Sequence, residues 1–414
     1  MRMWVLIIRR VALLIPVIVG VMTITFALVS ALPVQDQLIA HFGAPGPHDP
    51  WIYNPTLPPG TGNCPANATQ ACPNTQLQHF LNVLGLNQPI PVQWGIYIYH
   101  SLTFQWGTVD NHSTAAQVNA AIKDQPVTTV LSWYLPYTLE LAALSLFLIL
   151  LIAIPLGNLS AVNRNRPIDQ AARVVSFSGY AMPIFLLSSL SLMGAVILLG
   201  APTHYVSTTP WCPGGETTFF EFYGSWPSAL CFSSQSVYPT WLGSGIHTSP
   251  TGFPTVDALV NGQGWLAVDT LIRMILPALT IAFASIAVLL RFVRNSMLEV
   301  MNLDFVRTAR AEGVPSKTVV SRHAGRNSLN VTITVLGLTF AFFIGGFPVT
   351  EYVFHLNGIG LMLAYSIQIG GQGGGTVDYG LIFGTTLLFT FIIVIANIIV
   401  DVLYAYLDPR VRLG

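Results

Sequence analysis

The chain has 414 residues, of which 52% are hydrophobic and only 8% charged, with a mean hydropathy of +0.61. That balance excludes an ordinary water-soluble protein and makes the bilayer its solvent. Seventeen Lys and Arg against 17 Asp and Glu exclude the basic footprint of a nucleic-acid binder.

A helix needs roughly 20 mainly apolar residues to cross about 30 Å of hydrocarbon. Six stretches qualify, so the sequence predicts an all-α polytopic membrane protein with six transmembrane helices. The first, about 11 to 32, follows Arg2, Arg9 and Arg10 within a region 1–32. Its apolar run exceeds the roughly 7 to 15 residues of a secretory signal core, which favours a retained helix over a leader cleaved near Ser30 and Ala31. Residues 33–134 contain no long apolar run and are predicted to lie outside the cell. They hold Cys64 and Cys72 and two triplets of the glycosylation-acceptor pattern, at Asn67 and Asn111.

The second and third spans, 135–161 and 174–200, make up region 135–200. A second extracytoplasmic insertion, 201–269, carries Cys212 and Cys231 and is crowded with aromatics, among them Trp211, Phe219, Tyr223, Trp226 and Trp241. Those rings fit either a docking platform for a protein or sugar or a small stapled core with an interfacial belt. Region 270–407 holds the last three spans, 270–293, 328–350 and 379–407, with a polar loop at 294–327. Residues 408–414 form a tail.

Charge sets the orientation. With the N-terminus in the cytoplasm, 15 of the 17 basic residues fall on the cytoplasmic side, leaving Lys123 and Arg273 outside or at the rim. The segment 351–378 has no Lys or Arg, as an external loop should. The positive-inside rule therefore predicts a multi-pass protein of the cell membrane with both termini cytoplasmic. All four cysteines then meet an oxidising compartment, where disulfides persist. Three pairings are possible; short loop closure favours Cys64 with Cys72 and Cys212 with Cys231, and the sequence leaves the choice open.

Several chemistries lack their residues. Neither Lys123 nor Lys317 can complete the Gly-Lys-Ser/Thr of a phosphate-binding loop, and no His-Glu-x-x-His occurs. No catalytic residue, metal ligand or bound cofactor is expected. Glu140 and Asp401 inside spans, with Arg273 and Glu351 at boundaries, read as structural groups before proton relays. The run Gly370–Gly375 reads as an external hinge.

The loop at 304–327 reads as two short helices. Asp304 suits a helix start, Gly313 a left-handed stop and Pro315 a new first turn. Phe305, Ala309 and Gly313 are predicted to form a small apolar surface flanked by Arg307 and Arg310, fit for a partner's groove.

The block Ala309-Arg-Ala-Glu-Gly313 resembles the coupling motif of one membrane-subunit family, the first-type permeases of the dipeptide and oligopeptide importers of the ABC superfamily. Arg322-His-Ala-Gly-Arg-Asn327 and Thr334-Val-Leu-Gly337 are similar to the family pattern, as are Ile8-Arg-Arg10, Leu84-Gly-Leu-Asn-Gln-Pro89, Leu135-Pro-Tyr-Thr-Leu-Glu140, Leu276-Pro-Ala-Leu-Thr280 and Asp401 to Arg410. The chain departs from the pattern where a Pro commonly follows the Arg-Asn pair, having Asn330 and Val331 there, and in its longer, cysteine-bearing external segments. The resemblance implies the type I ABC importer permease fold and half of a translocation pathway for peptides, with oligosaccharides as the alternative cargo. It implies partners too: a second homologous permease, two cytoplasmic ATPases that use ATP and Mg, an extracytoplasmic substrate-binding protein and membrane lipid. Arg307, Ala309, Arg310, Ala311, Glu312 and Gly313 would couple to the ATPases, with Ala311, Glu312 and Gly313 seated in a groove. Gly337, Gly345, Gly346 and Pro348 would permit close approach or bending along the pathway. An ion-coupled carrier would instead call for inverted repeats and embedded charges, and a membrane-anchored receptor would leave the loop unexplained.

Overall fold

The computed structural model describes residues 3–31, 54, 56–57, 59, 64–83, 86–109, 113–198, 251–260, 262, 264–325, 328, 347–354, 356, 358–367 and 377–407. Helix α1 (Met3–Ser30) runs through Pro16, which a membrane helix tolerates better than a soluble one. A two-residue antiparallel pair follows, β1 (Thr56–Leu57) and β2 (Cys72–Pro73), with Leu57 opposite Cys72. Then come three short helices, α2 (Thr75–Val83), α3 (Ile90–Leu102) and α4 (Thr114–Val118). Local chemistry starts two of them: Asn74 Oδ1 accepts from the Leu77 amide at 3.0 Å, and Ser113 Oγ from the Ala116 amide at 3.2 Å. Each supplies an acceptor to an otherwise unpaired first-turn donor.

Helix α5 (Val127–Val162) spans 36 residues and starts earlier than the predicted 135. The apolar run measures what fits in hydrocarbon, whereas the backbone ladder already opens with the Val130 amide on the Pro126 carbonyl at 3.1 Å. The predicted third span is corrected more strongly. It forms two helices, α6 (Pro167–Ala181) and α7 (Ile184–Leu198), bent by 115°. Pro183 lies at the break; it has no N–H to continue the α6 ladder and its ring crowds the preceding turn. Its carbonyl instead accepts from Leu187 at 3.1 Å and opens α7.

Next are α8 (Pro254–Val260) and the 37-residue α9 (Gly264–Val300), which outruns the predicted 270–293 at both ends. The remaining elements are α10 (Asp304–Ala311), α11 (Ser316–Thr318) widening into a π-helical turn at Val319–Ala324, α12 (Phe347–Val353), α13 (Ile359–Ser366) and α14 (Tyr379–Leu407). Among the described residues α5, α9 and α14 are each long and apolar enough to cross a membrane, and the bent pair raises the number to as many as four. Most of the predicted fifth span lies outside the described residues.

The chain divides into two compact units. In the one built on Leu135–Leu361, α9 is the spine against which α6, α7, α8 and α12 pack. Small buried side chains along it, Ala278, Ala282 and Ala287, let neighbouring backbones come close. In the unit containing Leu13–Tyr134, α3 lies along residues 23–26 of α1. Thr25 Oγ1 and the Tyr97 hydroxyl share a 2.8 Å hydrogen bond, Trp94 Nε1 donates to Thr23 Oγ1 at 3.1 Å, and the Phe26 and Tyr97 rings lie 5.7 Å apart.

Candidate functional site

The element from α10 to the π-helical turn is built as the sequence suggests, with corrections in detail. Leu303 occupies the N-cap position, without a side-chain cap bond. Asp304 is the first helical residue and faces Arg307 at 3.6 Å in an exposed pair, so it helps through charge at the helix start rather than by capping. The end of α10 is fastened by two bonds, Gly313 N to the Arg310 carbonyl at 3.1 Å and Val314 N to the Ala309 carbonyl at 3.1 Å. That pairing requires a left-handed residue between them, and Gly313 has φ +81°. Pro315 sits one place earlier than predicted, as the N-cap of α11.

Burial sorts the residues of α10 into two faces. Val306 and Ala309 turn inward and join Ala161, Met297, Val300, Val319 and Ala324 in one apolar cluster. Ala309 therefore does not belong to an outward surface with Phe305 and Gly313, as its spacing suggested. The periodicity explains why: residues three apart share a face, and Val306 already commits that face to the core. Phe305, Arg307, Arg310, Ala311, Glu312 and Gly313 remain exposed. The result is a bent hook with a folded apolar root and a basic and acidic rim.

The sequence shows the centre of a second constellation only as a boundary charge. Glu351 of α12 is completely buried, and its carboxylate accepts from the Thr138 hydroxyl of α5 at 2.8 Å and from the amides of Gly360 at 2.7 Å and Leu361 at 3.3 Å. Thr138 Oγ1 in turn accepts from the Ile359 amide at 2.9 Å. The carboxylate thus satisfies the orphan donors at the start of α13, which suits its charge. Gly360 has no side chain because a Cβ there would strike the Pro348 backbone. The sequence signal was present, Thr138 within Leu-Pro-Tyr-Thr-Leu-Glu and a Gly-x-Gly soon after Glu351, but 213 residues separate the partners. Pro348, a predicted pathway or hinge residue, is part of this knot. Gly337, Gly345 and Gly346 lie outside the described residues.

Cys64 and Cys72 are joined, with Cα atoms 5.4 Å apart, which realises one of the short pairings left open above. Asn67 sits exposed inside that loop. Cys212, Cys231, Asn111, the aromatics Trp211, Phe219, Tyr223, Trp226 and Trp241, and the run Gly370–Gly375 lie outside the described residues. Glu140 faces α8. One carboxylate oxygen accepts from the Thr255 amide of α8 at 3.3 Å, another helix-start role. Among the described residues, no group of three metal-ligating side chains occurs.

The chain is similar to three known proteins across most of its length. A probable D,D-dipeptide transport system permease protein of Escherichia coli is 34% identical over 331 residues, covering 80% of this chain and 83% of its own. A dipeptide transport system permease protein of Haemophilus influenzae is 32% identical over 70% of this chain and 74% of its own. An oligopeptide transport system permease protein of Bacillus subtilis is 28% identical over 98% of both. The model of the family described as binding-protein-dependent transport system inner membrane component matches residues 153–413, a stretch that contains the bent pair α6 and α7, the spine α9 and the hook at 304–325. The chain, a multi-pass membrane protein, belongs to that family of binding-protein-dependent transport system inner membrane components.

Proposed function

We propose that this chain is the permease subunit of an ATP-driven importer of dipeptides and oligopeptides, forming half of the translocation pathway and carrying no ATPase of its own. The observation that carries the reading is the hook at 304–325: an element with a dedicated apolar root whose outer rim, Phe305, Arg307, Arg310, Ala311, Glu312 and Gly313, is left exposed. A chain that worked alone would have no reason to hold out so ordered a protrusion. The names of the relatives supply the cargo class, and the basic residues around the hook support a cytoplasmic position for it and for both termini.

In this reading six helices cross the membrane, with the bent α6–α7 pair and the segment 328–350 completing the set. A second permease subunit completes the pathway, two ATPases receive the hooks, and a substrate-binding protein delivers peptide to the face formed by 33–134. ATP binding draws the ATPases together and swings the hooks, so that packed helices move as bodies and access alternates.

The deciding experiment is purification of the tagged chain with its native partners. Two ATPases and a second permease should copurify, and reconstituted vesicles should accumulate labelled dipeptide only with ATP inside the compartment on the hook side and binding protein on the other. Uptake by the isolated chain down an ion gradient would refute the reading.

A further inference from the structure

Asp169, in the first turn of α6, is completely buried and no motif accounts for it. Its carboxylate receives five hydrogen bonds. Oδ1 accepts from Ser160 Oγ of α5 at 2.6 Å and Arg294 Nε of α9 at 2.6 Å. Oδ2 accepts from the Asn165 amide at 2.9 Å, Arg173 Nη2 at 2.7 Å and Arg294 Nη2 at 3.0 Å. One side chain therefore joins three helices, and the two-pronged Arg294 contact fixes orientation as well as distance.

The neighbourhood shows what these helices do together. Met297, one turn beyond Arg294, and Ala161, next to Ser160, both belong to the apolar root of the hook. Displacement of α10 must therefore reach α9 and α5 through that root. Apolar contacts are non-directional and can slide, whereas a half-buried guanidinium fork on a fully buried carboxylate cannot slide without breaking. Close approach adds to the lock: a Cβ on Gly157 of α5 would lie 2.7 Å from Val293 Cβ, and one on Gly179 of α6 only 2.6 Å from Ala287 Cβ. From α6 the chain turns 115° into α7, where Ser188 Oγ lies 3.4 Å from Thr350 Oγ1 of α12, beside Glu351.

We infer that Asp169 is a positioning residue for energy coupling: with Arg294 it clamps α5, α6 and α9 into one crank, so that movement of the hook is delivered to α7 and α12 instead of being lost as slippage between helices. The inference rests on the importer reading above. It assigns to Asp169 no contact with substrate or nucleotide.

The test uses the complete importer in vesicles, measuring peptide imported and ATP hydrolysed in the same preparation. Asp169→Asn keeps the shape and removes the charge; Arg294→Lys keeps the charge and removes the fork. Each should raise the ATP consumed per peptide by about tenfold, the scale of one charge-assisted bond, while ATPases still copurify. Ser160→Ala should raise it less. A residue that merely stabilised the fold would lower transport and hydrolysis together and leave their ratio unchanged, and that outcome in both variants overturns the clamp. If Asp169→Asn fails to reach the membrane, Arg294→Lys decides alone. Glu312→Lys, measured alongside, separates the two ideas. If it uncouples while both clamp variants keep the normal ratio, the clamp is wrong and the importer reading stands. If it too leaves transport and ratio intact, the coupling role of the hook falls and the clamp with it.

Discussion

Thr138 and Glu351, 213 residues apart, share a buried 2.8 Å hydrogen bond, and the same threonine oxygen accepts the Ile359 amide. The hydroxyl is thus both donor and acceptor between α5 and the turn into α13. Thr138→Val, which keeps the volume, should cost about 1–3 kcal/mol because it strands a carboxylate oxygen and an amide. Thr138→Ser should restore most of it. Thermal unfolding of the detergent-solubilised protein gives the comparison, and equal midpoints for the Val and Ser variants would contradict the role assigned to the hydroxyl.

The disulfide of Cys64 with Cys72 closes a loop of eight residues' separation next to the β1–β2 pair. Closing so short a loop restricts the unfolded chain by about 2.5 kcal/mol in the chain-entropy treatment. Reduction, or Cys72→Ser, should therefore expose this corner first, with faster proteolysis between 56 and 83. Cleavage within the hook at 304–325 should keep its original rate.

How much of this was legible beforehand follows from the range of each interaction. Gly313 could be read in the sequence because a left-handed stop is set by its own residue and the few before it. Long apolar runs were legible for the same reason, though α5 and α9 overrun them, since hydropathy marks the solvent and not the ladder of backbone bonds. The break at Pro183 is hidden in the sequence because 174–200 carries no charged residue and a Pro inside an apolar run need not end a membrane helix. Glu351 and Asp169 were unreadable in a deeper sense: their partners Thr138 and Arg294 are fixed only by folding, and a lone carboxylate near a span looks the same whether it is knotted or solvated. Ala309 reads as outward-facing in the sequence because its neighbours' outward character is legible and the commitment of Val306 to the core is not.

Gly313 has φ +81° with open space around its Cβ position, so a substitution there meets backbone strain and no collision. Gly313→Ala should cost about 1–2 kcal/mol locally, and Gly313→Asn less, since Asn accepts the left-handed region more readily. Hydrogen exchange of the Gly313 and Val314 amides reads this directly. Both should lose protection in the Ala variant, in the order Gly, Asn, Ala.

Ala309 and Ala311 are two residues apart on α10, one buried in the chain's own cluster and one exposed, and they separate folding from docking. A carboxylate at 309 would have to be buried beside Met297 and Val319 without a partner, an expense of several kcal/mol. Ala309→Glu should lower the unfolding midpoint of the purified chain and loosen the root of the hook. Ala311→Glu should leave the unfolding free energy within about 0.5 kcal/mol of the original, the usual range for an exposed change, and should instead reduce the recovery of ATPase subunits on purification. The two variants carry the same added charge, so a difference in which property suffers cannot come from charge alone. If Ala309→Glu unfolds normally while Ala311→Glu melts early, the inward and outward faces of α10 have been assigned the wrong way round.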